Sequence, residues 1–252
     1  MPHSRLFTAL GLGASLALSQ TTLAQTTNAA AKYHEPTRGF FIEHGLTAPN
    51  RQASIELHTG SDGIDAGGGI RLGLQGAELI LNSGLRSYDV NEALLKYQMP
   101  SVKTSEESNT AIQWALVGGI AHLDLEDANG NTTIEQTNIK LGAAATVKAD
   151  AGTFTIGPRL VIADSDTNTG KQDDTFVEVD LGAYVGLVDT QAGQFSVGAE
   201  AIFTTEDNRD DTIALGMRWL YNSHVAIDVV PVVMSDGDQL GLPGLVRLNA
   251  RF

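Results

Sequence analysis

The run Val177-Glu178-Val179-Asp180-Leu181-Gly182-Ala183-Tyr184-Val185-Gly186-Leu187 alternates without a break. Its odd-numbered residues are all apolar, whereas the even-numbered ones are two acids, two glycines and a tyrosine. Successive side chains of a strand point to opposite faces, so a period of two predicts an extended segment with one apolar face and one polar face. The rhythm recurs on both sides. Leu141, Ala143, Ala145 and Val147 oppose Lys140, Gly142, Ala144 and Thr146. Phe154, Ile156, Pro158, Leu160 and Ile162 oppose Thr153, Thr155, Gly157, Arg159 and Val161. Ile213, Leu215, Met217, Trp219 and Tyr221 oppose Thr212, Ala214, Gly216 and Arg218.

About twelve such segments can be placed, at 51–59, 66–74, 77–86, 91–99, 110–125, 132–148, 151–164, 175–188, 192–205, 211–221, 224–235 and 244–252. Soluble sandwiches use strands of about five or six residues. Several of these segments are twice that long, and roughly 9–11 residues suffice for a tilted strand to cross a bilayer. The predicted fold is all-β: a single antiparallel transmembrane barrel of about twelve strands over residues 51–252. Its connections alternate in kind. Gln75-Gly76, the turn around Asp150, Thr190 to Gly193 and Asn222-Ser223 are short, while those near Asp62, Asp89, Asp127, Ser165 to Asp174, Glu206 to Asp211 and Ser235 to Leu242 are longer and acidic. Transmembrane barrels show short turns on one side and longer loops on the other. The stretch Pro100 to Asn109 is long where a short turn is expected.

Composition narrows the partners. The 252 residues carry 16 Lys and Arg against 30 Asp and Glu, a formal charge of -14, and no cysteine. A surface this acidic repels a phosphate backbone, so nucleic acid is excluded. Disulfides, thiolate metal sites and cysteine nucleophiles are excluded with the cysteines. Residues 1–25 hold one basic residue, Arg5, then an apolar run from Leu6 to Leu18 and the small-residue sequence Thr22-Leu23-Ala24-Gln25. That is the layout of a secretory signal peptide cleaved near Ala24 or Gln25. Its apolar run is too short for a helix spanning ~30 Å of hydrocarbon. Residues 26–50, with Gly39-Phe40-Phe41-Ile42-Glu43-His44-Gly45-Leu46 between Pro36 and Pro49, lack the alternation. They read as a periplasmic arm, a plug inside the lumen, or an extra strand; an even strand count favours the first two.

The chain ends Leu245-Val246-Arg247-Leu248-Asn249-Ala250-Arg251-Phe252. In its signal peptide, alternating body and terminal strand it resembles Gram-negative outer-membrane β-barrel proteins, a superclass and no single family. The resemblance implies that Phe252 closes the signal read by the barrel-assembly machinery, that lipid of the outer membrane surrounds the barrel, and that the cell outer membrane is its location. Tyr97, Trp114, Phe154, Phe195, Trp219, Tyr221 and Phe252 gather near the short-turn ends. Such a girdle suits a membrane–water interface, where a ring is apolar on one side and wet on the other.

If the apolar face meets lipid, the other face lines the interior. It carries Glu56, Arg71, Glu78, Lys96, Lys140, Arg159, Glu178, Asp180, Glu200, Arg218, Asp228, Arg247 and Arg251, seven bases and six acids. A nearly balanced set can pair across the lumen and close it, or form charged walls around a water column. The long loops hold the remaining acidity, and carboxylates there suit divalent cations or the rejection of anionic solutes. Asp164-Ser165-Asp166-Thr167-Asn168-Thr169-Gly170 alternates oxygen ligands, but its glycine falls one residue late for a calcium loop and Thr175 stands where a bidentate Glu belongs, so a turn-forming loop is expected. No metal or cofactor motif is present, and Gly67-Gly68-Gly69 reads as close strand packing.

Catalytic signatures are thin. His34, His44, His58, His122 and His224 lie in no hydrolase or metalloprotease motif. The expected register turns His58 and His224 inward and His122 outward. The sequence therefore predicts a small porin-like channel or a structural envelope protein. A barrel hydrolase acting on lipid or peptide through His58 or His224, and an adhesion or docking protein using the acidic loops, are the alternatives.

Overall fold

A computed structural model of the chain describes residues 37–60, 66–84, 89–103, 110–126, 132–149, 152–167, 170–206, 211–235 and 244–252. The signal-like segment 1–25 and most of the acidic connections lie outside the described residues. The strands are β1 (Ala53–Gly60), β2 (Gly67–Leu74), β3 (Ala77–Ser83), β4 (Asp89–Gln98), β5 (Val102–Lys103), β6 (Ala111–Glu126), β7 (Thr132–Ala149), β8 (Gly152–Thr167), β9 (Gly170–Thr190), β10 (Gly193–Thr204), β11 (Thr212–Leu220), β12 (Val225–Ser235) and β13 (Leu245–Arg251). Each pairs with its neighbour, β4 pairs with β6, and β1 pairs with β13. β5 is a two-residue extension that pairs with β6 beyond the end of β4. Twelve antiparallel strands thus close on themselves, and no wall strand keeps a free edge.

Closure is sealed where the chain ends. Ala53 and Phe252 exchange both backbone hydrogen bonds, at 3.2 and 2.8 Å, and Leu57 lies opposite Leu248. Gln75-Gly76 and Gln191-Ala192 make two-residue turns, and in the first Gly76 supplies the positive φ of 74° that such a hairpin demands. Prolines fall where the ladder can spare a donor. At Pro158 the β7–β8 pairing skips from Arg159 to Ile156, and Pro231 sits at a register shift opposite Gly216.

The predicted faces are the observed faces. Leu57, Ile70, Leu95, Leu116, Leu141, Ile156, Leu187 and Met217 are exposed on the outside, Leu57 by 59% and Leu141 by 54%. Glu56, Arg71, Glu78, Lys96, Glu178, Asp180, Glu200, Arg218, Asp228 and Arg247 are buried within. This inverts the usual arrangement of a protein in water, where contiguous apolar patches stay small. At the short-turn end the rings of Phe195 and Trp219 stack at 5.7 Å, and Tyr221 meets Trp219 edge-on. Both indoles donate to turn carbonyls, Trp114 to Pro100 and Trp219 to Ala192.

Two expectations fail. The segment 165–174 is no long loop. Asp164 pairs with Asp173 and Asp166 with Lys171, so β8 and β9 run on to Thr167 and Gly170. Asp164 and Asp166 lie two positions apart on an extended strand, on one face and roughly 7 Å from each other, so the segment does not curl around a cation as a calcium loop does. His224 is exposed in the turn between β11 and β12, its ring against the Arg251 carbonyl, rather than turned into the lumen. Wall height also varies: β6 to β9 have 16 to 21 residues, whereas β1 to β3 have seven or eight.

Candidate functional site: the filled lumen

Residues 37–48 occupy the barrel interior as a tight hairpin. Arg38 and Glu43 form an isolated antiparallel bridge, and Gly39 N–H donates to Ile42 O at 2.8 Å. Phe40 and Ile42 are buried to 1% and 0%. Both ends of the hairpin meet the same wall residue. Thr37 Oγ1 donates to one oxygen of Glu78 and Ala48 N–H to the other. The chain therefore enters and leaves on one side, the short-turn end from which β1 starts. We call this segment the plug.

The first third of the wall grips the plug by its charged side chains. Arg38 pairs with Glu56 on β1 at 2.8 Å. Glu43 pairs with Arg71 on β2 at 2.5 Å and with Lys96 on β4 at 2.9 Å. Glu78 on β3 completes the set, 3.2 Å from Arg71 and 3.0 Å from Lys96. Three cations and three anions are thus balanced in the buried interior; the Lys96 side chain is 0% exposed. Each buried ion forfeits several kcal/mol of hydration, offset only by complete pairing. Burial by itself would push the Glu43 carboxyl up, but Arg71 and then Lys96 hold it well below its ordinary value of 4.5.

The wall from β10 to β13 holds the same hairpin differently, through its backbone. Glu200 accepts the N–H groups of Phe40, Phe41 and Ile42, together with the Tyr184 hydroxyl. Arg218 donates to the carbonyls of Arg38 and Gly39 at 3.0 and 3.1 Å. Arg247 donates to those of Gly39 and Phe40 at 2.8 and 2.7 Å. Asp228 binds both guanidinium groups and so fixes their outer edges toward the plug. Phe40 packs on Ala214, Val230 and Leu245. The wall makes room with glycine. A Cβ on Gly216 would come within 2.9 Å of the Phe40 ring, and one on Gly182 within 2.6 Å of Ile42 Cδ1.

The other predicted lumen residues form a separate patch. Arg159 pairs with Glu178 and Asp180 at 2.8 and 2.7 Å. Lys140 reaches Glu92 at 2.7 Å. Arg251 lies half-buried at the short-turn end, beside a cavity bordered by Thr37, Arg71 and Arg247. That cavity and one beside Lys140 and Arg159 each leave about 20 Å³ open to a water's centre. A single water needs roughly 10–15 Å³ on that measure, so neither is a passage. Sequence reading missed Glu92, Arg38 and Glu43. Glu92 shares its face with Leu94, which hides the parity of the strand, and the plug has no periodicity to read.

No catalytic constellation is assembled among the described histidines. His58 is buried against the Gly84 carbonyl toward the long-loop end, whereas His224 lies at the other end. His122 meets Asp124 at 3.3 Å on the outside of β6. His44 packs edge-on against Tyr184 within the plug.

No protein-family model matches the chain, and no curated protein matches its sequence. Among solved structures, one of the NanC porin aligns with 80% of this chain and 98% of its own, at 13% identity and a TM-score of 0.44.

The grip on Glu43 carries a pH signature. Its carboxyl is depressed in the docked state, so its contribution is complete above pH 4.5 and is lost only as pH falls through the lower, docked value. Amide exchange at residues 39–45, corrected for intrinsic rates, should stay slow from neutral pH down to about 4.5 and quicken only in stronger acid. Replacing Glu43→Ala should abolish that protection at neutral pH, weakening docking by about 3–5 kcal/mol because Arg71 and Lys96 lose a buried partner. Slow exchange in the variant would show that the ion pairs do not hold the plug.

Proposed function

We propose that the protein is an outer-membrane β-barrel that serves as a channel for small solutes and is held shut by its own N-terminal plug. The observation that carries this reading is how the lumen is filled. A wall meant only to be solid could fill its interior with its own side chains. Here the lumen face instead presents glycine at 182, 198 and 216, and an inserted hairpin takes the space. Ion pairs and hydrogen bonds hold that hairpin, contacts that water can replace once the segment moves.

Placement in the outer membrane rests on the exposed apolar band, the aromatic girdle at the short-turn end and the signal-like residues 1–25. With the plug displaced, Arg71, Lys96, Glu56 and Glu78 still balance one another, and the wall keeps both signs of charge around the water column. At the long-loop end, Asp164, Asp166, Asp173 and Asp174 raise the local concentration of cations.

Two measurements test the reading. In planar bilayers the wild-type protein should be mostly closed. The double variant Phe40→Asp, Glu43→Lys places charge in the apolar socket and reverses the anchor. Loss of about 3–5 kcal/mol of docking raises the open population roughly 10²–10⁴-fold. Steady cation-selective currents from the variant are expected; a variant as silent as the wild type would overturn the channel. Placement in lipid is tested by Leu141→Arg, which should lower folding stability in vesicles by about 2–4 kcal/mol. An unchanged urea titration would place Leu141 away from hydrocarbon.

A further inference from the structure

Glu200, Arg218 and Arg247 treat the plug in an unusual way, because their hydrogen bonds to it go to backbone groups. One peptide unit lies at the centre. Its carbonyl, that of Gly39, accepts from both Arg218 and Arg247, and its N–H, that of Phe40, donates to Glu200. Two guanidinium groups on one side and a carboxylate on the other read the polarity of an amide and ignore which side chains it joins. Side-chain recognition of the plug's charges belongs to the opposite part of the wall, at Glu56, Arg71 and Lys96.

The space around that amide is selective at two positions. On the residue before it there is no room, since a Cβ on Gly39 would run into the Tyr184 hydroxyl and the Glu200 carboxylate. On the residue after it, a socket of Ala214, Val230 and Leu245 takes an aromatic ring. Arg218 also lies 5.7 Å from the Phe40 ring centroid, within cation–π range. The charges are lopsided as well. Asp228 takes one edge of each guanidinium and Glu200 is turned to the plug's amides, so without the plug the other arginine edges would face water in need of acceptors.

We propose that this part of the wall is a binding site for short peptides in which glycine precedes a bulky apolar residue, and that the plug closes the channel by occupying it as an internal mimic of that solute. The proposal rests on the channel reading, because a free peptide can reach the site only once the plug has left. Plug and solute then compete for the same donors and acceptors, so a permeating peptide would itself hold the gate open.

The test uses the full chain carrying Phe40→Asp and Glu43→Lys, which leaves Glu200, Arg218 and Arg247 untouched, with undocking verified by fast exchange at residues 39–45. The probe is acetyl-Gly-Phe-Phe-amide, with acetyl-Val-Phe-Phe-amide as its control. Equilibrium dialysis in detergent reads binding, and bilayer current reads block. The glycine peptide should bind and interrupt the current, and the valine peptide should bind at least about tenfold more weakly, as loss of one charge-assisted hydrogen bond requires. Glu200→Gln in the same background should cost a similar factor, and Gly216→Leu should remove the aromatic preference, folding being checked by heat-shifted gel mobility. Equal binding of the two peptides, or none of either, overturns the peptide site. Should neither wall variant fold, the comparison of the two peptides on the folded double variant still decides. Currents without peptide binding would sink this inference and leave the channel standing; binding without currents would leave the peptide site but overturn the channel and, with it, the gating role of the plug.

Discussion

Charge withdrawn from water must find opposite charge or hydrogen-bond partners within reach, and in this barrel the plug supplies a share of those partners. Arg71 and Lys96 share Glu43, Arg38 neutralises Glu56, and the outer edges of Arg218 and Arg247 end on backbone carbonyls of the hairpin. The wall and residues 37–48 therefore form one electrostatic unit. Neither half is complete alone. Buried pairs of this kind add little net stability over apolar packing but strongly disfavour misplacement. They specify where the hairpin sits more than how firmly the barrel holds.

The two faces of the wall answer to different solvents. Outside, the apolar residues need no partners, so Leu, Ile, Val and Ala recur with little further constraint. Inside, each position is tied to a neighbour. Glu200 must meet three consecutive amides, Asp228 must fix two guanidinium groups, and glycine must leave room for Phe40 and Ile42. A substitution on the outer face is tolerated while it stays apolar. One on the inner face disturbs a network in which every member has a named counterpart.

What could be read in advance follows the same division. Alternation shows the wall and the inward direction of the strand charges, because an apolar outer face and a polar lumen impose a period of two. It failed where that contrast is missing. Ser165 to Thr167 and Gly170 to Asp174 belong to strands, yet they read as a loop because polar residues occupy both faces there. Glu92 was hidden by Leu94 on its own face. A plug is one of three readings that residues 26–50 allow, but its hairpin cannot be read from them, since Gly39-Phe40-Phe41-Ile42 owes its shape to partners up to about two hundred residues away in sequence, such as Arg247. His224 was misplaced because parity says nothing once a strand has turned its corner.

The uneven strand lengths reach beyond the lumen. At about 3.3 Å per residue and a tilt near 40°, the 21 residues of β9 rise roughly 50 Å, whereas the eight of β1 rise roughly 20 Å. An apolar band about 25 Å tall covers the low flank entirely and only half of the high one. In the membrane placement proposed above, the barrel would carry a one-sided parapet of paired strands standing clear of the bilayer, stiffened by its ladder. Among the described residues the rim is therefore tall on the flank of β7 to β9 and low on that of β1 to β3, so the wall has a direction as well as a girth.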